Sequence, residues 1–85
     1  MELRQQLVDF THGGRRWIAS LVARQEDVVW RGRLRFFEET VSRGPLVHDR
    51  LGFEAYTADD LVAQASALSM DEFRLRLERG KQGGS

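Results

Sequence analysis

The chain has 85 residues, 41% of them hydrophobic, with thirteen cationic and thirteen acidic side chains and no cysteine. That length gives one small domain whose core must form without disulfides, and the apolar share excludes bulk disorder. The start, MELRQQLVDF, is not a basic segment followed by an apolar run, and nothing approaches the roughly eighteen apolar residues of a membrane span, so a cytoplasmic protein is expected.

Taken in chain order, Leu3 to Phe10 reads as a first strand, with adjacent Leu7 and Val8 leaving its inward face undecided. THGG (Thr11 to Gly14) reads as a turn whose glycines can take positive φ. RRWIASLVAR (15–24) is rich in strand formers, and QED follows as a polar turn. In VVWRGRLRFFEE (28–39), Val28, Trp30, Leu34 and Phe36 alternate with Arg31, Arg33 and Arg35, the clearest period of two in the chain. A turn within 24–27 pairs Ala23 with Val28, Leu21 with Trp30, Ala19 with Gly32 and Trp17 with Leu34. The small Ala19–Gly32 step would let a helix approach closely. The other face would then carry Arg16, Ile18, Ser20, Val22 and Arg24 beside Val29, Arg31, Arg33, Arg35 and Phe37. VSRGPLV (41–47) holds the only proline and reads as a turn, with residues 46–51 a candidate fourth, edge strand.

The end is helical. Thr57 is an N-cap with Asp60 three residues on, Tyr56 and Leu61 stand where a hydrophobic staple would, and Leu61, Val62, Ala65 and Leu68 recur at helical spacing. Ser69 to Glu72 spells a capping box, Leu68 and Phe73 its staple, and Met70, Phe73 and Leu77 continue the period to Gly80, a C′ stop. Residues 81–85 read as a flexible tail after a single domain over 1–80. The fold class is α+β: an antiparallel meander of three or four strands packed on one face by two short C-terminal helices. Trp17, Leu21, Trp30, Leu34, Phe36, Leu61, Ala65, Leu68, Phe73 and Leu77 should form most of its core.

Chemistry-bearing patterns are sparse. His12 lies in the THGG turn near Asp9 and His48 beside Asp49, but no HxxxH, HExxH or CxxC spacing exists, so exposed turn or edge histidines and no metal are expected. No serine sits in a GxSxG elbow, and adjacent Glu38 and Glu39 point to opposite faces of a strand. Gly13-Gly14 before Arg15-Arg16 could cup a phosphate, yet Gly-Gly more commonly closes a hairpin. No catalysis, cofactor, small-molecule substrate or membrane association is expected.

The arginines remain. Residues 1–37 carry seven arginines against four acids, residues 38–85 six cations against nine, and only Lys81 is lysine. Arg16, Arg24, Arg31, Arg33 and Arg35 should share one sheet face as binding residues, with no acid on that side of the second and third strands. Neighbours such as Arg16 and Arg35 are mutually unfavourable unless something negative is supplied, either by a ligand or, on a solvated or internally paired face, by acids of the first strand or Glu38, Glu39 and Asp49. The order of RRWIASLV, VVWRGRLRF and TADDLVAQASAL resembles the layout of plant ethylene-response-type DNA-binding domains and phage-integrase arm-binding domains, which implies a sheet in the major groove. Residues 37–56, the second helix and the zero net charge depart from that layout. The expected function is a non-enzymatic protein-interaction or regulatory module, meeting an acidic protein partner through the arginine face or self-associating through an edge strand. Nucleic-acid binding through the same arginines is the alternative.

Overall fold

A computed structural model describes residues 1–39 and 46–83, so the turn read at 41–47 lies, up to residue 45, outside the described residues. Strands β1 (Glu2–His12), β2 (Arg15–Glu26), β3 (Val29–Glu38) and β4 (Val47–Ala55) precede helices α1 (Ala58–Ser66) and α2 (Met70–Gly83). The strands form one antiparallel sheet in sequence order, the four-stranded version of the expected meander, and both helices pack on one side of it.

The first hairpin closes on Gly13 and Gly14, with φ of +63° and +76°, the pair of left-handed residues that a two-residue type I′ loop requires. The second closes two residues later than expected. β2 runs on to Glu26, and the loop is Asp27-Val28, with Asp27 at φ 56°. Ala23 therefore faces Gly32, Leu21 faces Leu34, Ala19 faces Phe36 and Trp17 faces Glu38, correcting every expected pair. The slip is even, so each side chain keeps its face and alternation alone could not detect it. The expected small step survives with a different partner. A Cβ on Gly32 would lie 2.9 Å from Leu61 Cδ2 and 3.0 Å from the Ala23 Cβ, so α1 drops its leucine into the Ala23–Gly32 notch.

The undecided face of β1 has a physical answer. A bulge between Gln6 and Val8 changes the parity of the strand, so Leu3 and Gln5 before it, and Val8, Phe10 and His12 after it, all lie on the helix side. Leu7 and Val8 both reach the core. Nine of the ten expected core residues are buried, Leu68 is partly so, and Phe10, Ala19, Ala23 and Phe53 join them.

Both helix starts are capped as read. The Thr57 hydroxyl accepts from the Asp60 N–H at 3.1 Å and the Ser69 hydroxyl from the Glu72 N–H at 3.1 Å. The reciprocal half of the second box is absent among the described residues, because the Glu72 carboxylate accepts from Arg76 Nε instead. Tyr56 is 77% exposed and forms no staple. Gly80 does not stop α2, which continues to Gly83. Gly80 is instead the point where the helix touches β4, for a Cβ there would lie 2.5 Å from the His48 carbonyl oxygen. Lys81, expected in the tail, places Nζ 5.2 Å from the centre of the Trp17 ring.

Candidate interaction surface

Strand alternation sends alternate side chains of the meander away from the helices. Across the sheet this open face runs in rows: Glu2–Arg24–Arg31–Glu54, Arg4–Val22–Arg33–Gly52, Gln6–Ser20–Arg35–His48 and Asp9–Ile18–Phe37. Arg16, Arg24, Arg31, Arg33 and Arg35 therefore do share one face. Arg4, unassigned while the first strand had no register, joins them.

The arginines are not alike. Arg16 pairs with Asp9 and lies 3.6 Å from a Glu39 carboxylate oxygen, and Arg31 lies 3.7 Å from both Glu26 and Glu54. Glu26 corrects the expectation of an acid-free side, because the longer β2 brings it onto this face. Arg4, Arg24, Arg33 and Arg35 make no ion pair among the described residues. Arg35 faces Ser20 rather than neighbouring Arg16, and the opposed cations are Arg24 and Arg31. Like charges directly opposite in a sheet are unfavourable. Arg35 is half-buried, and its buried Nε–H has no hydrogen-bond partner among the described residues. Such a donor costs about 1–3 kcal/mol until something accepts from it.

Between the arginines lie Ile18, Val22 and Phe37, half-buried by their neighbours with no helix above them among the described residues, while Val29 at the end of the face lines a depression with Asp60, Ala63 and Gln64 of α1. A shallow depression of about 290 Å³ sits at one end, lined by Val22, Arg24, Arg31, Arg33, Glu2 and Glu26 among others. The acids of the face stand at its margins: Glu2 and Asp9 on edge strand β1, Glu54 on edge strand β4, and Glu26 and Glu39 at strand ends. The surface is thus basic and aliphatic inside and acidic at the rim. It can hold a carboxylate-bearing segment with forked arginine donors while covering apolar area.

The helix side is occupied by internal pairs. Arg76 Nη1 donates to Asp49 Oδ2 at 2.8 Å and its Nε to Glu72 at 3.1 Å, and the guanidinium stands 4.8 Å from the centre of the Phe53 ring. Burial works against the charged Arg76, but the bonds and charges of Asp49 and Glu72 outweigh it and raise its pKa. Asp49, 1% exposed, also accepts the Leu51 N–H at 3.0 Å. The sequence signals the Glu72–Arg76 spacing, whereas the burial of Asp49 has no local mark. His12 is not an exposed turn residue: its Nε2 lies 2.6 Å from Glu78 Oε1. That bond, foremost, holds the Glu78 carboxyl below the usual carboxylate range. His48 is exposed on β4 opposite Arg35, so the two histidines belong to opposite faces. Among the described residues no three His, Cys, Asp or Glu side chains could hold a metal ion together, and no helix is long and apolar enough to cross a membrane.

No family model matches this chain, and no curated protein or solved structure is significantly similar to it.

Proposed function

We propose that this chain is a small binding module whose open sheet face receives an acidic segment of a partner protein. The observation that carries the reading is the set Arg24, Arg33 and Arg35. These arginines stand beside half-buried Val22, Ile18 and Phe37 on an uncovered face, without a carboxylate partner among the described residues. The acidic rim and the zero net charge favour a protein segment of mixed character over a polyphosphate. Arginine and aromatic residues such as Phe37 are also enriched at protein interfaces relative to the rest of a protein surface.

A second reading, phosphate contact by the same arginines, is favoured by the directly opposed Arg24 and Arg31. Fluorescence anisotropy separates the two, using a labelled peptide alternating glutamate with valine, a labelled DNA duplex and a labelled single-stranded RNA, each at low and physiological salt. The peptide is expected to bind wild type and to lose binding in Arg33→Glu/Arg35→Glu. Tighter binding of duplex or RNA, with a log–log salt slope of about −2 to −3 for three phosphate contacts, would establish the second reading instead. No binding of any probe at low salt would refute both.

A further inference from the structure

We infer that β1 pairs with β1 of a second copy of this chain, antiparallel, with the two-fold axis between Gln6 and Leu7. β1 is an edge of the sheet, and among the described residues no strand lies beyond it. Its outward hydrogen-bonding groups follow from the ladder. The two-residue loop makes His12 and Arg15 a bonded pair, so alternation aims the backbone groups of Thr11 and Asp9 outward. The Thr11 carbonyl shows this directly, since it accepts from Arg74 Nε at 3.2 Å. At the other end Gln25 N–H donates to the Met1 carbonyl at 3.1 Å, so Met1, Leu3 and Gln5 bond inward while Glu2, Arg4 and Gln6 face outward.

The bulge makes this edge self-complementary. In a regular strand Arg4 and Asp9 would point to opposite faces, but the shift between Gln6 and Val8 puts both on the open face. With the axis between Gln6 and Leu7, Arg4 then stands opposite the partner's Asp9, and symmetry repeats the pair. Both residues carry outward backbone groups, so each ion pair sits on a pair of ladder hydrogen bonds. Leu3 falls opposite the partner's Phe10, both on the helix side. Moving the axis one residue toward the N-terminus sets Glu2 against the partner's Asp9, a repulsion. Moving it one residue the other way leaves Arg4 opposite the partner's Thr11 with no charge matched. Of the registers that pair the strand along its whole length across the bulge, this one satisfies face, hydrogen bonding and charge together. It also joins the two open faces into one continuous surface. The pairing uses none of Arg24, Arg33 or Arg35, so it stands apart from the face reading.

Sedimentation velocity over a wide concentration range tests the inference. Wild type is expected to dimerise, while Arg4→Asp and Asp9→Arg, each setting like charges opposite one another, remain monomeric. An equimolar mixture of those two variants restores both ion pairs in this register and is expected to sediment as a heterodimer. Arg4→Pro removes an outward N–H and the Arg4 guanidinium but no bond of the β1–β2 ladder, so it should be folded by circular dichroism and monomeric. A wild type that stays monomeric, folded variants whose mixture stays monomeric, or a dimeric Arg4→Pro would overturn the proposal. Should Asp9→Arg not fold, the Arg4→Pro result decides. Arg33→Glu/Arg35→Glu should dimerise normally whatever it does to peptide binding.

Discussion

An alanine at position 80 would gain up to about 1 kcal/mol of helix propensity over the glycine now there. Its Cβ would lie 2.5 Å from the His48 carbonyl oxygen and 2.7 Å from Val47 Cγ1, and a backbone atom cannot rotate away. The clash wins, so Gly80→Ala is expected to lower stability in urea unfolding by roughly 1–3 kcal/mol. Gly14 makes the opposite case. Its Cβ would meet nothing within 4 Å, but φ is +76°. Gly14→Ala should therefore cost about 1–2 kcal/mol from backbone strain alone, with Gly14→Asn recovering part of it. The role of Gly14 was legible, because a turn is a local pattern. That of Gly80 was not: a glycine after periodic residues resembles a stop, and only the nearness of β4 makes it a contact point.

At the scale of elements, two ion pairs among the described residues tie α2 to the sheet. Arg76→Met would leave the Asp49 carboxylate buried without its guanidinium, a loss of about 3–5 kcal/mol for a buried pair broken on one side. Asp49→Leu/Arg76→Met should recover most of that in thermal or urea melts, since no buried charge is left unpaired and Glu72, which also loses Arg76, is partly open to solvent. The second tie is pH-dependent. The folded pKa of Glu78 is lowered, so its contribution is present above the ordinary carboxylate range and is lost as pH falls through the folded value. Acid unfolding followed by circular dichroism should accordingly be less steep for Glu78→Gln than for wild type. Both ties were hidden in the sequence, since Asp49 lies in β4 far from Arg76 along the chain and His12 looked like a turn residue. The helices themselves were legible because the caps at Thr57 and Ser69 are local chemistry. The faces of β2 and β3 were legible from alternation, but not their register, because an even slip leaves alternation unchanged and the choice of Asp27-Val28 as the loop decides it.

At the scale of the whole molecule, a net charge of zero conceals a basic, partly aliphatic sheet face with acids at its rim. The five arginines singled out from alternation do share that face, yet Arg16 and Arg31 are matched within the chain while Arg24, Arg33 and Arg35 are not. That division depends on the extra length of β2 and on edge-strand acids, neither of which a period of two reveals. It also directs where a ligand should be felt. The measurement that bears most directly on the central claim is a two-dimensional amide NMR titration of the labelled protein with the glutamate–valine peptide at low salt. Shifts concentrated on β2 and β3 around Val22, Arg24, Arg33, Arg35 and Phe37, and lost in Arg33→Glu/Arg35→Glu, are the predicted result. Shifts confined to α1 and α2, or none at saturating peptide, would contradict it.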